Sequence, residues 1–254
     1  MQITPAFEPA AAGSTRAAAV ARRLVVDAPV RMFHWLFALS FIGAYLTADS
    51  ERWRALHVTL GYTMAGLLAF RIIYGIVGPR EARLSSLWRR LTAAPAWWRT
   101  VRQSRSLAAI PWRQGQNLAM ALAVVALFAI VVPLAVSGYG SYNGWSDALG
   151  GDWLEEAHEF LGEAMLAVVL LHLALIALLS VLRRRNQALP MLTGRIEGAG
   201  PDLVRRNRVW LAGLLLMAVL AFGAWQWRES PNGLLAKPTA DNARSSHAPV
   251  DDDD

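Results

Sequence analysis

The chain has 254 residues, of which 55% are hydrophobic and only 17% charged, with mean hydropathy +0.30 and a net charge of +6. A soluble domain carries about a quarter charged residues, so this composition excludes an ordinary soluble enzyme. Cysteine is absent, which excludes disulfides, thiolate metal sites, iron–sulfur clusters held by this chain and covalent haem attachment through Cys-x-x-Cys-His.

Residues 1–23 are Ala-rich and have no apolar core. They read as a loose cytoplasmic lead, not a cleaved signal. Five apolar runs follow: Met32–Ala48, Leu56–Val77, Leu118–Val136, His158–Leu182 and Val209–Trp227. A bilayer crossing needs about 20 mainly apolar residues at about 1.5 Å rise each, so all five are candidate spans. The first is short and extends back into Pro29–Arg31. The third contains Pro133, which a packed bundle accommodates as a kink. Between the second and third runs, Ser85–Pro111 mixes Leu87, Trp88, Leu91, Trp97, Trp98 and Val101 with Arg, the pattern of helix lying on a membrane surface. Residues 229–254 are rich in Pro, Ala and Asp and end in four Asp, a composition of disorder. The expected fold is an all-α membrane protein. Four of the spans are expected to form a transmembrane bundle (residues 24–197). A fifth C-terminal transmembrane helix with its approach (198–228) follows, then the acidic tail.

Orientation follows from the basic residues, of which 24 of 25 are Arg. The connections on the N-terminal side of the membrane hold 19 Arg and those on the other side hold five Arg or Lys, with Arg71 inside the second run. Basic residues stay in the cytoplasm. The N-terminus is therefore expected inside and the C-terminus outside, and no nucleic-acid partner is needed to explain a pI near 10.4. Trp35, Trp53, Trp112, Trp153, Trp210, Trp225 and Trp227 lie near span ends, as an interfacial aromatic belt would.

Of five histidines, His247 is in the tail and four are in spans or at their ends: His34, His57, His158 and His172. An ionisable ring inside a bilayer is costly and usually functional. His158 and His172 are 14 residues apart on one helix, about 21 Å in rise and about 40° short of four full turns. They face nearly the same way at opposite depths. The second span starts outside, so His57 is level with His158; the first starts inside, so His34 is level with His172. Two stacked pairs, each from two helices, match two non-covalent b-type haems with bis-histidine iron ligation. A zinc site would need three or four ligands at one depth. A proton relay would want carboxylates between the levels, and only Glu159 and Glu163 are near.

His57-Val-Thr-Leu-Gly61 and His158-Glu-Phe-Leu-Gly162 share the form His-x-x-x-Gly. Position i+4 lies on the histidine's own face, so Gly61 and Gly162 clear the surface where a flat macrocycle would lie. The same glycines would also suit helix–helix packing. Arg71, 14 residues after His57, sits at the inner depth. A buried guanidinium needs an anion; a haem propionate is the candidate, with Arg31 beside His34 as a second contact. The alternative is that Arg71 snorkels to the surface.

The stretch Asp27-Ala28-Pro29-Val30-Arg31-Met32-Phe33-His34-Trp35 resembles the D-x-P-x-R-x-x-H-W opening of the bacterial cytochrome b561 family, which includes the cytochrome b subunits of nickel–iron hydrogenases. Arg54-Ala-Leu-His57-Val-Thr-Leu-Gly61-Tyr62 with Phe70-Arg71 through Gly78-Pro79-Arg80 is similar to its second span. His158 through His172 is similar to its fourth, and Met191-Leu192-Thr193-Gly194-Arg195 to the motif that follows. The likeness covers about residues 24–197. One departure stands out: the family's Gly-His-Asn-Pro start to span three is here Gly115-Gln116-Asn117-Leu118.

The resemblance implies a four-helix di-haem core with six-coordinate low-spin haems in the bacterial inner membrane. It implies electron transfer that often involves quinone and a periplasmic redox protein, such as a c-type cytochrome, hydrogenase or dehydrogenase. Two other classes compete. One is a self-contained membrane oxidoreductase acting on quinone or superoxide. The other is a haem-free helical anchor or transporter whose histidines carry protons. In every case membrane lipid is a partner.

Overall fold

The computed structural model describes residues 21–229 apart from Glu81 and Gly150. Most of the expected lead, the acidic tail beyond Glu229 and His247 lie outside the described residues. Each apolar run forms a helix. Helix α1 (Ala28–Leu46) follows a short strand, β1 (Arg22–Leu24). It starts four residues before the first apolar run. Asp27 accepts a hydrogen bond from Val30 N at 3.3 Å, and Pro29 occupies the first turn, where a missing N–H costs nothing. Helix α2 (Arg54–Val77) is followed by two amphipathic helices, α3 (Ser85–Thr92) and α4 (Ala94–Gln103). Helix α5 (Trp112–Tyr142) passes through Pro133 without a break, and the short α6 (Trp145–Leu149) leads to α7 (Trp153–Leu182). A one-turn helix, α8 (Leu189–Thr193), a strand, β2 (Arg195–Glu197), and α9 (Val209–Glu229) complete the described chain.

Four of these helices are long and apolar enough to cross a bilayer: α2 with the turn before it, α5, α7 and α9. Helix α1 falls outside that group. It has 19 residues and carries Arg31 and His34 in its first turns.

Helix α1 packs along α2 and α5 along α7, and the two hairpins meet where α2 touches α5. Helix α7 makes no comparable backbone contact with α1 or α2. Instead a layer of large side chains fills the middle: Phe41, Met64, Leu68, Val131 and Met165 are all buried together. Phe41, Met64 and Met165 each stand seven residues from a histidine of their own helix. Seven residues are about 10.5 Å, just under two turns, so the layer lies midway between the two histidine levels. Extending the same step places Arg71 on α2 at the His34–His172 level and Gly138 on α5 at the His57–His158 level.

The end of the bundle bearing α3, α4 and α8 is closed by distant backbone pairing. Strands β1 and β2 pair antiparallel, Leu24 opposite Arg195. Leu24 N donates to Asp202 Oδ1 at 2.6 Å, and Ala28 N donates to Asn207 Oδ1 at 2.9 Å. The residues before α9 therefore cap the start of α1, and α9 packs against α1 and α2.

Candidate functional site

The His57–His158 level is fully assembled. The two ring centroids are 5.9 Å apart with planes at 84°. His57 Nδ1 is 2.8 Å from Ala44 O, and His158 Nδ1 is 3.0 Å from Leu134 O. A carbonyl oxygen can only accept, so each ring carries its proton on Nδ1 and keeps a bare lone pair on Nε2. That is the tautomer a metal-ligating imidazole needs, with the other nitrogen held by a backbone carbonyl. Ser137 Oγ also lies 3.4 Å from His158 Nδ1 and donates to Leu134 O at 3.1 Å. Metal–imidazole bonds are about 2.0–2.1 Å. Two of them, with about 1 Å from each ring nitrogen to its ring centre, put the centroids about 6 Å apart, so the observed spacing fits one metal ion between the rings.

Gly138 makes the approach possible. A Cβ there would lie 2.6 Å from His158 Cε1, so any side chain on α5 at this point would displace the ring. By contrast, Cβ atoms added to Gly61 and Gly162 would meet nothing within 4 Å. Those two faces are open. The open faces, the ring spacing and the carbonyl-held nitrogens together fit a flat macrocycle ligated on both sides. Among the described residues no group of three or more His, Cys, Asp or Glu is placed to hold a metal ion. Tyr45 donates to Glu163 Oε1 at 3.2 Å, bridging α1 and α7 near this level.

At the other level, His34 and His172 are electrostatic neighbours across α1 and α7. The Nδ1 atom of each is buried without a hydrogen-bond partner. Arg71 is only 9% exposed, so it does not snorkel to water, and its Nη1 is also buried and unpartnered. Asp27 and Tyr74 are close enough to act on its charge, yet no carboxylate among the described residues is within ion-pair distance. Tyr74 OH donates instead to Asp27 Oδ2. Arg71 borders a cavity of about 170 Å³ with Asp27, Val30 and Met191, and Val30 is one turn before His34. The cavity and the orphaned guanidinium nitrogen can accept an anionic group. Arg31 donates through Nη1 to Leu192 O at 3.2 Å and keeps a buried, unpartnered Nε.

The Met191–Arg195 motif has a mechanical role. Trp35 Nε1 donates to Met191 O at 3.0 Å, and Val25 N and Val26 N both donate to Gly194 O at 2.8 and 3.1 Å. Gly194 has φ +78, and a Cβ there would sit 2.7 Å from Val26 O. Only glycine takes that conformation in that space without strain. The motif thus fixes the entry of α1, and with it His34. The Gln116-Asn117 departure is also occupied. Arg183 Nη2 donates to Gln116 Oε1 at 2.9 Å and Asn117 Oδ1 at 3.0 Å, joining the ends of α5 and α7.

A family model described as prokaryotic cytochrome b561 matches residues 25–194. No curated protein and no solved structure gives a match to the chain. The family match ends at Gly194, so β2 and α9 lie beyond it.

Proposed function

The chain belongs to the prokaryotic cytochrome b561 family, a multi-pass membrane b-type cytochrome that binds haem and transfers electrons, and from that premise we propose that it holds two non-covalent haem b groups and carries electrons across the membrane. The observation that carries this reading is the His57–His158 pair, with rings 5.9 Å apart and both Nδ1 atoms on backbone carbonyls. Haem b, when bound, supplies a one-electron ferric–ferrous couple. His57 and His158 would ligate one iron through Nε2, and His34 and His172 the other. Gly61 and Gly162 would leave room for the macrocycle, while Arg71 and Arg31 would neutralise propionate charge at the second level.

The arginine-rich connections sit at the end bearing His34 and His172, which supports placing that end in the cytoplasm of a bacterial inner membrane. Electrons would then pass between a periplasmic redox protein and the quinone pool. Helix α9 would be a further crossing that places the C-terminus outside. The test is the haem-to-protein ratio of the purified chain with its visible spectrum. The expected ratio is two, with low-spin bands and complete extraction by acid–acetone, since no cysteine is present. A ratio of one, or haem that stays with the polypeptide, overturns the proposal.

A further inference from the structure

Beside the bundle a groove of about 400 Å³ runs between α2, α3 and α5. Its volume is that of a small-molecule pocket, about 300–1,000 Å³, but its walls are almost wholly apolar: Ile72 from α2, Leu87, Trp88 and Leu91 from α3, and Phe128 and Val132 from α5. The groove is not an accident of loose packing. Its roof, α3, is fastened where Leu84 N donates to Gly75 O at 3.1 Å. The Leu84 side chain also fills the space that a Cβ on Gly75 would take, 2.5 Å from its Cγ. Trp88, Ile72 and Val132 are exposed at the rim, so the groove opens sideways toward the bilayer.

An unfilled groove there would forfeit the dispersion contacts of its walls. Lipid tails are as apolar as the residues lining it, so a tail can fill the groove, yet the tail itself gives no selectivity. The charge above it does. At 100° per residue, Leu84, Leu87, Trp88 and Leu91 share the groove-facing side of α3, while Arg89 and Arg90, 100° apart, lie on its outer side about 150° and 110° from the middle of that face, and both are exposed. Around them residues 78–117 carry eight Arg and a single acid, Glu81. A basic amphipathic helix at the membrane surface attracts anionic headgroups.

We propose that this groove is a binding site for one anionic phospholipid, with an acyl chain between α2, α3 and α5 and the phosphate at Arg89 and Arg90. The test is native mass spectrometry of the detergent-purified protein, followed by exchange against dioleoylphosphatidylglycerol and dioleoylphosphatidylcholine. The wild type should retain one phosphatidylglycerol per chain through delipidation. Arg89→Gln with Arg90→Gln should bind phosphatidylglycerol at least about tenfold more weakly, the order expected for one or two lost surface charges, and should bind phosphatidylcholine unchanged. Val132→Trp fills the groove from α5 and should retain no lipid. An unaltered visible haem spectrum in both variants shows that the bundle is intact. Equal retention of phosphatidylcholine by the wild type, an unchanged lipid in Val132→Trp, or a quinone as the retained molecule would each overturn the proposal.

Discussion

At the His57–His158 level both rings are held by carbonyl oxygens, at 2.8 and 3.0 Å, and a bare backbone on α5 lets the second ring in. At the His34–His172 level neither Nδ1 has a partner, and the nearest feature is the buried guanidinium of Arg71 with its small cavity. The two levels share helices and spacing but differ in what orients the rings. At the first level the protein alone selects the tautomer and aims Nε2. At the second it offers two imidazoles and a buried guanidinium beside a small cavity, and no hydrogen bond fixes the rings' Nδ1 atoms.

The comparison breaks most sharply if the pairing is wrong. Replacing His57 or His158 with Ala should remove the same haem, lowering the ratio from two to one or converting that haem to high spin. Replacing His34 or His172 should affect the other. Low-spin signals in a frozen-solution paramagnetic spectrum separate the two. Loss of one signal by both His57→Ala and His172→Ala, with His158→Ala sparing it, would disprove the arrangement. A smaller effect should appear in the order of filling. Partners that orient a ligating histidine are worth about 10–100-fold in affinity. In a haem titration of apo-protein, the His57–His158 site should therefore fill first by a margin of that order. Simultaneous filling would mean that the carbonyl bonds contribute nothing.

Gly138→Ala tests the same level from the other side. A Cβ 2.6 Å from His158 Cε1 must push the ring off Leu134 O or move α5. Overpacking of this kind costs about 1–3 kcal/mol, so retention of that haem should fall about tenfold or more while the His34–His172 haem is unaffected. Equal loss of both haems would point to general unfolding instead.

The histidine levels were legible because helices have a fixed rise and turn: 14 residues bring His158 and His172 to one face, and the Arg count orders the spans. Gly138 was not found, because it stands on the one bundle helix that bears no histidine. Its signal was available in the seven-residue step from Val131, which mirrors Met165 between its two histidines. The carbonyls of Ala44 and Leu134 leave no trace in a sequence, since every residue has one. Helix α1 begins at Ala28 because Asp27 caps it and Pro29 enters the first turn, a signal that hydropathy ignores. The Asn207 cap on Ala28 and the Asp202 bond to Leu24 join residues 178 and 179 positions apart. Periodicity along the chain carries no information at that distance. Spacing alone sets the depth of Arg71, whereas the Tyr74–Asp27 bond beside it joins positions 47 apart.

The smallest effect concerns Arg71, and its sign is fixed by charge. Ferrous haem carries one positive charge less than ferric haem, so a buried cation nearby stabilises the reduced form and raises the midpoint potential. Arg71→Leu should lower the potential of the His34–His172 haem. At about 10 Å and an effective dielectric of about 20, one charge is worth about 1.7 kcal/mol, or about 70 mV for one electron, given about 59 mV per tenfold change. Asp27 complicates the magnitude. Its carboxylate, beside Arg71, offsets part of that cation's field at the haem. Arg71→Leu combined with Asp27→Asn keeps the cap on α1 and the acceptor for Tyr74, and removes both charges. It should shift the potential less than Arg71→Leu alone, because it removes one charge of each sign. The His57–His158 haem lies about 21 Å away along α2, so it should move less than half as far. A redox titration resolving both couples decides the matter: equal shifts, or none, would detach Arg71 from the second level and leave the Tyr74–Asp27 pair as its only context.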